Sequence, residues 1–404
     1  KKLFVYASHF SHDFEDATAY GWTVGDVSFD WPTLRDNKDK EISRLNEIYE
    51  NMLVNSGVEV FKVRASVVDP HTVDVGGKRV TAKYILIATG GWPSVPDIPG
   101  KEHAITSNEF FNMGKWPERA IVVGGGYIAV ELTGVLHGLG ANVTQLYRGP
   151  NFLRGFDDDV RHHLADEMRK QEVDLRFNTN ISRIEKEDED LVADLEDGTQ
   201  MRTDVILYAT GRLPNSANIG LEKAGVKLGK GGAVLVDEEF KTSVPSIYAI
   251  GDVAGAPCLA HKATHEAMIA SEAIAGHLPE PLHRERIPGC TYSAPQVASI
   301  GLREQDAGER ALKIGRFPLY ANGKSVVAGH PEGLIKTVFD ARTGELLGAH
   351  MIGEGVTELI QGFAVAMGLE TTEQELIETI FPHPTVSEAM QESVLMAFDR
   401  PLHL

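Results

Sequence analysis

Residues 120–149 read AIVVGGGYIAVELTGVLHGLGANVTQLYRG, and the fold turns on how this stretch is parsed. Four apolar residues, Ala120 to Val123, run into three glycines. A helix-periodic segment then reaches about Leu139, Gly140 stops it, and a second apolar run ends at Tyr147. That succession predicts strand, glycine turn, amphipathic helix and second strand, one beta-alpha-beta unit. Gly124, Gly126 and Ala129 fit the GxGxxG/A pattern. The first position makes a tight turn, the second lets bare backbone approach a pyrophosphate, and the third stays small where helix meets strand. The predicted ligand is a dinucleotide.

In a unit that binds NAD, an acidic residue at the end of the second strand takes the ribose hydroxyls. Here that place holds YRGPNFLRG, with Arg148, Arg154 and no carboxylate. Two guanidiniums suit a 2'-phosphate, so the expected nucleotide is NADPH rather than NADH. The competing reading, two solvated surface arginines, sits poorly with a chain whose formal net charge is -19.

Outward from this unit, the strand ending ILYATG at 206–211 nearly repeats ILIATG at 85–90. A repeated strand with the same ATG ending predicts two nucleotide-binding domains of one design. In the second copy the glycine loop precedes the ATG by 85 residues, Gly124 to Ala209, which would put the first loop near residue 3. No glycine precedes Gly21, so the first loop is expected upstream of Lys1, and a start at Lys rather than Met points to a fragment or a processed start. Between the two ATG copies, VDLRFNTNISRIE and LVADLEDGTQMR are strand-like, with Asp197-Gly198 as a hairpin signal. Boundaries fall near 91, 212 and 285.

A chain of 404 residues, 42% hydrophobic and 24% charged, is long enough for two or three globular domains. Its acidity argues against nucleic-acid and anionic-membrane partners, which need a basic face. No apolar run of membrane-spanning length and no signal-peptide pattern is present, so the expected location is cytoplasmic. Cys258 and Cys290 lie 32 residues apart in unrelated contexts and are read as buried small hydrophobes. No metal site is expected, because His162 and His163 are adjacent and HEAM at 265 is not HExxH. Asp157 to Asp159 are read as a helix cap and first turn. His383, between two prolines and five residues before Glu388, has the makings of a general acid/base oriented by a carboxylate, against a purely structural histidine.

Taken in order, ATGGWPSVPDIPG, GGGYIAVEL, YATGRLPNS, SIYAIGDV and HPTVSE span the chain. The set resembles the class I flavoprotein disulfide reductases, the family of glutathione reductase and dihydrolipoamide dehydrogenase. The resemblance implies an α/β fold with two Rossmann-like domains, for FAD and NAD(P), plus a C-terminal α+β dimerisation domain. The implied limits are 1–91 for an N-terminally truncated FAD domain, 92–212 for the NAD(P) domain, 213–284 for a central segment completing the FAD domain, and 285–404 for the interface domain.

The same resemblance assigns roles. Asp252 binds the FAD ribitol, with Thr89, Gly90, Gly211, Arg212, Gly251, His261 and Ala263 also on the cofactor side. Tyr127 covers the nicotinamide pocket, and Glu131 pairs with a flavin-side lysine that matches Lys1. Tyr49 takes the substrate-gating place, and His383 with Glu388 serves the other subunit of a homodimer. KKLF follows the CxxxxC redox pair in the family, so that pair and the FAD loop are expected before Lys1, and the chain as written lacks the dithiol needed for exchange.

The front of the chain, to about residue 250, looks like glutathione reductase, through KKLFVYASHF and SRLNEIY. From GAPCLAHKA onward it is similar to dihydrolipoamide dehydrogenase. Met268 stands where a glutathione-binding arginine is usual, and Ala389 where a second glutamate is usual. The leading expectation is an NADPH-dependent FAD disulfide reductase acting on glutathione disulfide. A lipoamide-directed enzyme using NAD and a non-catalytic nucleotide-binding dimer are the alternatives.

Overall fold

A computed structural model describes residues 1–404. The chain folds into two compact units, each assembled from separated segments: Lys1–Arg35 with Val95–Thr210 and Glu285–Leu404, and Asp36–Ser94 with Gly211–Arg284.

In the first unit the strand Arg119–Val123 pairs in parallel with Asn142–Tyr147 on one side and Val205–Tyr208 on the other, and Asp174–Phe177 completes a four-stranded parallel sheet. Ala120 to Val123 are all buried, as expected of a parallel strand covered on both faces. Between its first and last strands in sequence the helix Tyr127–Gly138 packs Leu132, Val135 and Leu136 into the core. Three antiparallel strands, Ile181–Glu187, Asp190–Leu195 and Gln200–Thr203, follow as a meander. Its second turn carries Asp197 and Gly198, and Gly198 has φ of +86°, a conformation glycine adopts without strain.

Also in this unit, Gly289–Thr291, Val297–Gly301, Leu346–Ile352, Leu334–Asp340 and Leu312–Pro318 form a five-stranded antiparallel sheet in that spatial order. The helices Val356–Gly368 and Glu388–Ala397 bury Phe363, Met390 and Val394 with Phe317, Phe339 and Met351 from the sheet.

The second unit pairs Ile85–Ile87 in parallel with Ile247–Ala249, and Gly91–Pro93 antiparallel with Arg212–Pro214. A meander of Ala65–Asp69, Thr72–Val75 and Lys78–Thr81 packs Val67 against Ile219 and Leu221. The helix Ala260–Ala275 closes this unit's sequence. The fold class is therefore α/β with an added α+β domain. No helix is long and apolar enough to cross a membrane.

Candidate functional site

The glycine loop is built by sterics. A Cβ on Gly124, at φ +151°, would lie 2.4 Å from the Ala209 carbonyl oxygen and 3.0 Å from Ala129 Cβ. Strand Val205–Tyr208 and the helix thus close on the loop from both sides, and Ala129 is fully buried where helix meets strand. At Gly126 a Cβ would meet nothing within 4 Å. Gly126 is also the N-cap of Tyr127–Gly138 and supplies no side-chain cap. Open space in front of uncapped helix N–H groups fits a pyrophosphate. Gly125, which carries no role in the sequence pattern, is required for another reason: a Cβ there would come to 2.4 Å of the Tyr147 ring.

Arg148 and Arg154 leave the end of Asn142–Tyr147 exposed and without an ion-pair partner. The segment that carries them is fixed beneath. Phe152 and Leu153 are buried, Leu153 donates its N–H to Gly125 O at 2.6 Å, and Arg161 donates to the carbonyls of Phe152 (2.7 Å) and Asn151 (2.9 Å). Two guanidiniums with no carboxylate neighbour, held beside a glycine loop, are suited to a phosphate.

On the helix one turn beyond Tyr127, Glu131 is buried and accepts from Lys1 Nζ at 2.8 Å on each oxygen, and from Tyr292 N–H at 3.1 Å. Lys1 Nζ lies 4.8 Å from the Tyr292 ring centroid. The structure thus brings Lys1 and Glu131 together across 130 residues of sequence.

The second unit holds Gly90, φ +70°, and Gly211, φ +127°, the last residues of the two ATG motifs, and a Cβ at either would face open space. Thr89 and Asn215 bind one another's backbone carbonyls at 2.8 and 3.1 Å. Arg212 reaches Asp252 at 3.3 Å and donates to Gly91 O. Gly251 N–H donates to the fully buried Glu266 at 2.7 Å, and Glu266 pairs with Lys262 at 2.9 Å. Ala263 Cβ sits 3.4 Å from where a Cβ on Gly251 would be. Bare backbone beside a positioned carboxylate, Asp252, fits a polyhydroxylated nucleotide. His261 is exposed at the start of its helix, and Tyr49, also exposed, lies on the helix Trp31–Asn55.

His383 Nδ1 lies 2.9 Å from Glu388 Oε1, and Glu388 Oε2 accepts the Thr385 N–H at 2.9 Å. Burial pushes the Glu388 carboxyl up, but the Thr385 N–H and the imidazole outweigh it and hold it below the usual range. An ionised Glu388 fixes the ring and leaves Nε2 outward, on a side chain that is 80% exposed. This is the arrangement of an imidazole able to give and take a proton at Nε2.

Cys258 and Cys290 are half-buried and form no disulfide, a correction to their reading as buried small hydrophobes. Burial pushes both thiols up, away from the thiolate form that exchange requires. No group of residues has the makings of a metal site.

The profile described as pyridine nucleotide-disulphide oxidoreductase matches residues 2–267, about two thirds of the chain. This chain belongs to the pyridine nucleotide-disulphide oxidoreductases. The dimerisation domain of the same family matches residues 287–394. A glutathione reductase of Burkholderia cepacia is 39% identical over 390 residues, covering 96% of this chain and 87% of that one. A dihydrolipoyl dehydrogenase of Zymomonas mobilis is 40% identical over 407 residues, with 97% and 87% covered. In fold the chain is similar to LpdA of Mycobacterium tuberculosis, with a TM-score of 0.90, 24% identity and 97% and 88% covered.

As a member of this family the chain is a class I flavoprotein disulfide reductase, an enzyme that uses FAD and a pyridine nucleotide and carries a dimerisation domain. When bound, the flavin relays electrons between the nucleotide and a disulfide.

Proposed function

We propose that this oxidoreductase is of the glutathione reductase type and takes NADPH. The observation that carries the reading is the unpaired Arg148 and Arg154 at the end of the second strand, where a ribose-binding carboxylate is missing. The FAD domain is assigned to 1–91 with 213–284, the nucleotide domain to 92–212, and the interface domain to 285–404. On the nucleotide side, Gly124, Gly126 and Ala129 admit the pyrophosphate, and Tyr127 covers the nicotinamide. Glu131 holds Lys1 in place on the flavin side. Thr89, Gly90, Gly211, Arg212, Gly251, Asp252, His261 and Ala263 hold FAD, and Tyr49 meets the substrate.

His383, oriented by Glu388, exchanges a proton with the departing thiolate in the partner subunit's site, which makes the homodimer the working unit. The setting is cytoplasmic. The test is steady-state turnover of the holoenzyme with each nucleotide and each disulfide. NADPH with glutathione disulfide is the expected pair, and a preference for NADH with inert glutathione disulfide overturns the reading.

Two observations favour the second reading, a lipoamide-directed enzyme using NAD. Ala389 is fully buried in the interface core, so this position offers no second carboxylate beside Glu388, and Met268 is exposed where an arginine is usual for glutathione. Turnover of lipoamide with NAD would support it. Absence of any turnover with nucleotide still bound would leave the non-catalytic dimer.

A further inference from the structure

The arginine segment is tied at its far end to the antiparallel sheet of the interface domain. Asp157 caps the helix Asp158–Lys170, accepting from Asp159 N–H at 3.1 Å, and is fully buried. Both of its oxygens also meet Lys336 Nζ, at 2.9 and 3.0 Å. Lys336 stands on Leu334–Asp340, is 2% exposed, and reaches Asp159 and Glu304 at 2.6 Å each. Across the sheet it is in register with Arg316 on one neighbour and His350 on the other, and Arg316 also binds Asp159 at 2.8 Å and pairs with Glu304. One residue before Asp157, the Phe156 carbonyl accepts from Gln305 Nε2 at 3.0 Å.

Arg154 therefore occupies a short span with both ends held. Leu153 is fastened to Gly125 of the glycine loop and strained into φ +51°. Phe156 and Asp157 are fastened to Gln305 and Lys336. Phe156 N–H also closes onto Leu153 O at 2.9 Å, so the turn that presents Arg154 has no slack. A lysine placed among three carboxylates in a buried site costs desolvation, and that cost is met only where the geometry is specified by all the partners.

The geometry points to Lys336 and Gln305 of the interface domain as positioning residues for the 2'-phosphate arginines, and so as determinants of the choice between the two nicotinamide nucleotides. This rests on the reading of Arg148 and Arg154 as phosphate ligands. Lys336 and Gln305 bind no nucleotide themselves; they set where the backbone that presents Arg154 stands.

The test is calorimetric titration of the holoenzyme with adenosine 2',5'-bisphosphate and with 5'-AMP. Wild type is compared with Lys336→Met, Gln305→Ala and the control Arg154→Ala, alongside the thermal midpoint of each. Lys336→Met is expected to weaken the bisphosphate about tenfold and Gln305→Ala about threefold, with 5'-AMP changed by less than about twofold. A wild-type preference for the bisphosphate retained in both variants overturns the inference, as does an equal loss for the two ligands, which marks general damage. If Lys336→Met does not fold, Gln305→Ala decides by the same criterion. Failure of the underlying reading is distinct: wild type then shows no preference for the bisphosphate, and Arg154→Ala changes nothing.

Discussion

At the scale of single residues, the loop shows how much a missing atom can specify. Gly124, Gly126 and Ala129 were readable from spacing, because strand, turn and helix follow one another within thirty residues. Gly125 was not, because the Tyr147 ring that excludes its Cβ arrives twenty-two residues later on another strand. Tyr208 is a different kind of residue. It is 1% exposed on the strand Val205–Tyr208, its hydroxyl has no hydrogen-bond partner, and burial pushes its phenol up to about 12. A buried unsatisfied hydroxyl costs free energy that a phenyl ring avoids, so Tyr208→Phe is expected to stabilise the protein by about 1 kcal/mol. Urea unfolding checks this, and a lower midpoint for the variant contradicts it.

Among elements, the helix Asp158–Lys170 carries a dual device at its start. The run Asp157 to Asp159 was legible as a cap, since capping is local and its residue types are few. Its ion pairing was not, because Lys336 lies 179 residues away on a strand, LIKTVFD, that also carries Thr337 and Asp340, so nothing local singles the lysine out. Burial pushes the Asp159 carboxyl up, yet Lys336 and Arg316 more than offset this and hold it below its ordinary range. A depressed carboxyl contributes stability above its unfolded pKa, of about 4, and that contribution is lost as the pH falls through the folded value. Lys336→Met leaves the fully buried Asp157 without its ion-pair partner, while Asp159 and Glu304 keep Arg316, and is expected to cost about 3–5 kcal/mol at pH 7. The deficit shrinks toward acid as the Asp159 carboxyl takes up a proton. Urea midpoints of both proteins at neutral and acidic pH decide this, and a deficit independent of pH excludes the network as its source.

For the molecule as a whole, the domain matched as a dimerisation domain leaves large apolar side chains in water: Ile380 is 94% exposed, Leu369 76% and Val365 54%. In a dimerisation domain, large apolar side chains left exposed are where a second copy would pack. Ile380→Lys is expected to shift the protein toward monomer in sedimentation velocity at micromolar concentration and to lower turnover with it; an unaltered dimer places the interface elsewhere. The family, both nucleotide folds and the His383–Glu388 pair were legible because each rests on a short local motif. The three-segment and two-segment make-up of the compact units was not, because it depends on which distant strands pair. That threading sets the order of events during synthesis. Ile85–Ile87 pairs with Ile247–Ala249, which leaves the ribosome 162 residues later. At about 5–20 residues per second, the first strand spends on the order of ten seconds or more without its neighbour, an interval in which a nascent-chain chaperone has an apolar edge to guard.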